Sequence, residues 1–313
     1  MSKVIRGAYG VSPGMQARVE AAIAELGYRP RASARAMRGA SFTIGVESPA
    51  LLGTDFLPTI IFGAAQALSR AGYDLISLPV LSVWDSANAL ERLIDRPVDG
   101  VISLGTIVSS EDLTAMAAGV PIVAIGRHER SDAFDTVCSD DEAGATLAMT
   151  HLHDLGHRNI AHVTLALPGS LDTAFDGHDV RARAYEAYMT NAGLKPTVVR
   201  VDPERPREGI AEFFNSQTHA TAVFAANDGL ALDVLAVLRE GNATRESVSV
   251  IGYDGAPITA HPLIGLTTMD QNGVHLGSTA ATVLLERLKG RDTPVHHRTT
   301  PTIRPGLTTF APA

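Results

Sequence analysis

From residue 42 to about residue 290 the chain repeats one pattern, a short apolar run followed by an amphipathic helical stretch. The apolar runs Thr43–Val46, Tyr73–Val80, Val98–Leu104, Pro121–Ile125, Ile160–Leu165, Thr197–Val201, Ala222–Ala226 and Val248–Gly252 predict strands. The stretches 57–72, 86–96, 111–118, 141–155, 181–193, 207–216, 228–240 and 273–289 predict helices. Strand–helix alternation of this kind produces parallel sheets with helices on both faces. Eight strands over this length fit two lobes better than one sheet. Open parallel sheets bind ligands beyond the carboxyl ends of their strands, so a two-lobed chain places its site in the cleft between lobes.

Composition excludes several alternatives. With 45% hydrophobic and 19% charged residues in 313, the chain can bury a substantial core. The single cysteine, Cys138, cannot form an internal disulfide and rules out a cysteine-cluster zinc site. A reducing cytoplasm fits best. The longest apolar stretches, such as 114–126, fall short of the roughly 20 residues a bilayer helix needs, and the start lacks the apolar core of a secretory signal.

The net charge of −8 conceals an asymmetry: residues 1–39 carry seven basic and two acidic side chains, or +5, leaving −13 on the remainder. A small basic end on a large acidic body points to a nucleic-acid contact attached to something with a different task, although an Arg-rich solvated helix would give the same count. Residues 12–27 predict a helix, with Ser12 as cap, Pro13 in the first turn, an apolar stripe of Met15, Val19, Ala22, Ile23 and Leu26, and Gly27 as stop. A second short helical segment, 31–38, carries Arg31, Arg35 and Arg38 on neighbouring positions, with Met37 as its only large apolar side chain. Too short to be stable alone, it could order against phosphates and an apolar slot.

These residues closely resemble the LacI/GalR family of transcriptional regulators, through Val11-Ser12-Pro13, Arg18 to Pro30 and Ala34 to Gly39. In that family the stretch is the third headpiece helix followed by the hinge helix, whose apolar wedge enters the minor groove. Met37 occupies the wedge position. The resemblance makes Lys3, Arg29, Arg31, Arg35, Met37 and Arg38 the expected DNA-contacting residues. The family has about twenty further residues before this point, so the chain begins inside what would be the recognition helix. Operator binding is accordingly expected to be weak or absent in the chain as written.

The resemblance continues through Thr43-Ile44-Gly45-Val46, Val98-Asp99-Gly100-Val101-Ile102, His151 to Ala161, Ala226-Asn227-Asp228, Val250 to Asp254 and Leu266 to Gln271. It implies an α/β fold: a two-lobed, periplasmic-binding-protein-like body of parallel sheets with three crossovers, preceded by a partial helical headpiece. The expected divisions are a headpiece at 1–39 and an effector-binding domain at 40–313. Within the latter, an N-terminal lobe would take about 42–158 and 271–291, and a C-terminal lobe 159–270 and 292–313.

A sugar or polyol needs multidentate hydrogen-bond partners in a dry cleft. Arg181 matches the family's ligand-clasping arginine, three residues before a usual glycine that is Ala184 here. Asn227 and Asp254, at strand ends, match polar ligand contacts; Asp228 could cap the helix that follows. Gln271 falls at a lobe crossing, as hinge or ligand contact. Phe56 and Leu57 match an aromatic pair that walls the family pocket, with a core role as the other reading. Arg127 and Asp140 are weaker candidates near strand ends. Where the family often has a stacking aromatic, this chain has Glu204, which would suit a more polar or a cationic ligand.

No phosphate-binding loop, dinucleotide fingerprint or nucleophile elbow occurs. Among eleven histidines, His151, His153 and His157 are densest, but positions two apart on a helix do not share a face. No catalytic residue, metal site or cofactor is expected. The reading is a cytoplasmic, homodimeric, ligand-responsive DNA-binding regulator whose partners are operator DNA and a small effector, most often a sugar. The alternative is a solute-binding protein of the periplasmic type, which would have no use for the 31–38 segment.

Overall fold

The computed structural model describes residues 12–25, 40–49, 56–80, 85–105, 107–166, 176–216, 219–241 and 248–312. It divides into two units, 1–42 and 43–313. In the first, α1 (Pro13–Glu25) starts where the sequence indicates: Ser12 offers its Oγ to the Met15 amide at 3.4 Å and its carbonyl to Gln16 at 3.0 Å. Lys3, Arg29, Arg31, Arg35, Met37 and Arg38, and so the expected hinge helix, lie outside the described residues.

The second unit alternates as expected. Its first part runs β1 (Thr43–Pro49), α2 (Phe56–Arg70), β2 (Asp74–Val80), α3 (Ser86–Ile94), β3 (Gly100–Leu104), α4 (Ser110–Ala117), β4 (Ile122–Ile125) and β5 (Asp135–Ser139). There follow α5 (Asp141–Asp154), β6 (Ile160–Leu165), α6 (Gly177–Asn191), β7 (Val198–Val201), α7 (Pro206–Asn215), β8 (Ala222–Ala225), α8 (Asp228–Glu240) and β9 (Ser249–Asp254). The last elements are β10 (Thr267–Asp270), α9 (Gly273–Leu288), β11 (His296–Thr299) and β12 (Thr302–Arg304).

The strands form two six-stranded sheets, ordered β2-β1-β3-β4-β5-β11 and β7-β6-β8-β9-β10-β12. All neighbours are parallel except the antiparallel pair β10 and β12. In both sheets the strand order reverses at equivalent places, between β1 and β3 and between β6 and β8, the switch points beyond which such sheets hold ligands. This is the two-lobed α/β architecture expected.

Each sheet is buried on both faces, which explains the near-continuous apolar runs. In the first lobe Ile44, Val46, Ile102 and Val123 meet α2 and α9, while Val101, Ile122 and Ala124 meet Leu90, Leu93 and Leu113. The helices α2 and α9 come into backbone contact, because a Cβ at Gly277 would strike the carbonyl of Ile60. In the second lobe α7 and α8 cover one face, and α5 and α6 the other.

The lobe boundaries differ from those expected. Helix α5 packs Ala145, Ala148, Met149 and Leu152 against Tyr185, Phe224 and Tyr253 of the second lobe, so the first crossing lies at residue 140 and not at 158. Strand β11 pairs with β5, so the first lobe extends past 291 and the third crossing lies at residues 300–301. The cause is Asp135, fully buried, which takes Arg287 at 2.9 Å, Arg291 at 2.9 and 3.1 Å and the Val295 amide at 2.6 Å. That cluster draws the segment after α9 back onto the first sheet. No helix among the described residues is long and apolar enough to cross a membrane.

Candidate functional site

A buried polar cluster occupies the carboxyl end of the second sheet, where the first crossing enters. Helix α6 begins at Asp176, whose carboxylate accepts from the His178 amide at 2.5 Å. That cap sets the phase of the helix, turning Arg181, Ala182, Tyr185 and Met189 toward the sheet. Arg181 is 4% exposed and donates from Nη1 to Asp141 Oδ1 at 2.6 Å. Its guanidinium carbon lies 4.5 Å from the centre of the Tyr253 ring, a cation–π arrangement, and its Nε has no partner.

Asp141 opens α5 and is 2% exposed. Its second oxygen lies 2.6 Å from His128 Nε2, and the far ring nitrogen of His128 is 3.9 Å from Cys138 Sγ. Burial alone would pull the His128 proton off; the Asp141 bond and charge, with Cys138, outweigh it and push the imidazole up to about 9. Burial opposes the charge of Asp141 too, yet Arg181 and His128 together hold its carboxyl below the ordinary value. Two further histidines behave oppositely. Burial and the nearby Arg181 charge press His162 and His178 down to about 3, so both are neutral.

Asp254 and Gln271, both expected as site residues, are brought together. Gln271 donates from Nε2 to Asp254 Oδ1 at 2.7 Å across the second crossing. Asp254 ends β9 with φ +123°, a region that L residues seldom adopt. Burial raises its carboxyl well above the usual range, and the charge of Asp228 adds to the shift.

Asn227 and Asp228 divide their work in the reverse of the expected way. Asn227 caps α8, its Oδ1 accepting from the Leu230 amide at 2.8 Å. Asp228, 1% exposed, accepts from the Ala256 amide at 2.7 Å and Thr268 Oγ1 at 2.5 Å, fastening the turn after Asp254 to β10. An Asx cap uses the side chain of the residue just before the helix, which makes Asn227 the natural one.

Phe56, 8% exposed, packs in the first-lobe core with Ile60 and Leu276, its ring edge 3.0 Å from where a Gly273 Cβ would lie. Leu57 is half-buried against the same core. Segments 50–55, 81–84 and 167–175, which follow β1, β2 and β6, lie outside the described residues. Arg127 is spent on Val108 O at 3.0 Å, Ser110 Oγ at 2.9 Å and Glu129 at 2.6 Å, and Asp140 caps α5 through the Ala143 amide at 3.1 Å. Glu204 is exposed in the turn after β7. His151, His153 and His157 go separately to Thr309, Tyr188 and the pair Thr221 and Phe310.

Sequence reasoning missed Asp141, His128 and Tyr253. It also missed Glu47, fully buried on β1, which accepts from Ser103 Oγ at 2.5 Å across the first switch point while its Oε1 has no partner. A charged residue inside an apolar parallel strand was the available signal.

Comparison with known proteins agrees with the two-lobed fold. Residues 149–309 match the family described as periplasmic binding protein-like domain. The HTH-type transcriptional regulator CelR of Thermobifida fusca is 29% identical over 308 residues, covering 94% of this chain and 88% of its own. A LacI transcriptional regulator from a Rhodococcus species has a structure that superposes with a TM-score of 0.76 at 30% identity, covering 86% of this chain and 98% of that one. A LacI family regulator from Enterococcus faecium with bound ribose superposes with a TM-score of 0.73 at 26% identity, covering 87% and 99%.

Proposed function

The chain belongs to the LacI/GalR family of transcriptional regulators, and from that membership we propose that it is a DNA-binding regulator whose body takes a small polyhydroxylated effector, a sugar, between its lobes. The observation that carries this reading is Arg181: a buried guanidinium with one edge already fixed by Asp141 and Nε unsatisfied, at the carboxyl end of a sheet. Unsatisfied buried donors favour a ligand that supplies acceptors. Asp254 and Gln271 supply further polar groups at the second crossing. Bound ribose in the Enterococcus faecium relative supports a sugar as the effector. The proposed action is binding without chemical turnover, in the cytoplasm.

In this reading Lys3, Arg29, Arg31, Arg35 and Arg38 meet operator phosphates and Met37 enters the minor groove. The effector acts by binding one lobe arrangement more tightly than the other. Titration calorimetry with D-ribose and cellobiose, a pentose and a glucose disaccharide, tests the body. Saturable binding of either at one site per chain is expected; flat heats with both, and with a polyol panel, would overturn the sugar assignment.

A homodimer completes the reading. Leu263 is 82% exposed, Leu307 74% and Ile258 40%, and Leu307 packs against Gly265 in the segment that carries the other two. A second copy is the occupant proposed for this apolar edge, since paired half-sites need paired chains. Leu263→Glu is expected to weaken self-association about 30-fold, the size of a single interface hot spot. Sedimentation at micromolar concentration reads this out, and an unshifted dimer would place the interface elsewhere.

A further inference from the structure

We infer that Asp141 and His128 are positioning residues for Arg181, forming an ion-pair chain through which the first lobe sets the pose of the second lobe's arginine. The inference rests on the reading of Arg181 as the effector's anchor. Its geometry is direct: His128 Nε2 to Asp141 Oδ2 at 2.6 Å, then Asp141 Oδ1 to Arg181 Nη1 at 2.6 Å, then the guanidinium over the Tyr253 ring at 4.5 Å. All three charged side chains are buried, with 8, 3 and 5% of their side-chain surface exposed for His128, Asp141 and Arg181.

Three features separate this chain from an incidental ion pair. The neighbouring Asp140 already caps α5, so Asp141 is not needed to start the helix. Gly177 leaves space that a side chain would fill, since a Cβ there would stand 2.9 Å from Asp141 Oδ2 and 3.0 Å from Arg181 Nη1. Finally, His128 belongs to the first lobe. It follows Arg127, whose bonds to Val108, Ser110 and Glu129 tie that loop to the first sheet's carboxyl edge. Asp141 and Arg181 are held on the second lobe through α5 and α6.

A rigid shift of one lobe against the other therefore moves His128 relative to Asp141, and the 2.6 Å contact is either kept or lost. When it is lost, Asp141 is freer to turn, and with it Arg181. Linkage requires the converse: an effector that prefers one Arg181 pose must favour the lobe arrangement that produces it. The titratable groups facing His128 are Asp141 on α5 and Cys138 on β5. The imidazole holds its proton to about 9, so the chain is intact at neutral pH and weakens above that.

Two measurements on the full chain test this. Histidine NMR titration, with His128 assigned by its absence in His128→Gln, is expected to give a midpoint near 9 that falls by at least one pH unit in Asp141→Asn; a wild-type midpoint near the ordinary 6.5 would overturn the chain. Calorimetry with D-ribose and cellobiose is expected to show at least a tenfold loss of affinity in Asp141→Asn and a three- to tenfold loss in His128→Ala. His128→Gln, whose amide can still donate, should recover most of that loss at pH 7 and show no decline between pH 8 and 10, where the wild type declines. The double variant should bind no more weakly than Asp141→Asn alone. Affinities within twofold of wild type in both single variants, or additive losses, would overturn the positioning role, and His128→Ala decides if Asp141→Asn does not fold. If neither sugar nor any member of the polyol panel binds the wild type, the sugar reading fails and the titration alone decides whether the chain exists.

Discussion

Arg181→Ala is expected to abolish measurable sugar binding and to lower the stability of the body by about 3 kcal/mol, the size of effect seen when one partner of a buried ion pair is removed. The binding loss follows from charge-assisted hydrogen bonds, whose removal costs ~1.5–3 kcal/mol each. The stability loss follows from Asp141, which would remain buried with only His128 against its charge. Its sign with pH is fixed: the Asp141 carboxyl is held below its ordinary value in the folded protein, so its contribution is present above the unfolded value and fades as pH falls through the folded one. The gap between wild type and variant in urea unfolding should therefore be full at pH 7 and narrow below about pH 4. Arg183→Ala, at an exposed position two residues along, serves as the comparison and should change stability by less than about 0.5 kcal/mol. Equal losses in both variants would remove Arg181 from its assigned place.

Glu47→Gln should act in the opposite direction. Burial lifts this carboxyl from 4.5 to about 7, against the pull of the hydrogen bond from Ser103. A raised folded value means that the folded protein holds the proton more tightly than the unfolded chain. Stability is then fully retained below 4.5, declines as pH rises through the interval to about 7, and stays reduced above it. A glutamine keeps an acceptor for Ser103 and removes the charge. At pH 8 the variant should be more stable by about 3 kcal/mol, because each tenfold difference in proton affinity between the folded and unfolded chain is worth roughly 1.36 kcal/mol. At pH 4.5 the two proteins should agree. Urea unfolding at both pH values reads the difference directly. A variant no more stable than wild type at pH 8 would mean that the carboxylate is better compensated than its unpartnered Oε1 indicates.

The fold was largely legible because most of its strands are short apolar runs, each set off by an amphipathic helix. All eight expected strands and all eight expected body helices occur, with ends within a few residues except at α6, which starts four residues earlier. The strands that escaped are β5, β10, β11 and β12, and their sequences explain why. Asp-Thr-Val-Cys-Ser and His-His-Arg-Thr carry little apolar signal, and the second sits at an edge where burial is partial. Their placement depends on Asp135 meeting Arg287 and Arg291, more than 150 residues away, which no local pattern encodes.

The candidate site divides along the same line. Arg181, Asp254 and Gln271 were recoverable from motif and position. Asp141 was not, because it stands beside Asp140 at a helix start and local chemistry offers capping for either residue; only partners 13 and 40 residues distant tell them apart. Asn227 and Asp228 present the same ambiguity with the opposite outcome. Phe56 packs in the first core beside Gly273, an environment that its sequence position alone did not reveal.

The third crossing has a consequence for synthesis. Strand β11 is an outer strand of the first sheet, β12 is an outer strand of the second, and Thr308 and Phe310 then bond back to Val250 and Ser249. Neither half of the body is a continuous stretch of polypeptide, and both wait for residues beyond 295. As the ribosome feeds the chain out, each half stays open at one border until residues beyond 295 have emerged. The two halves therefore close nearly together, within a few residues of each other, rather than one long before the other.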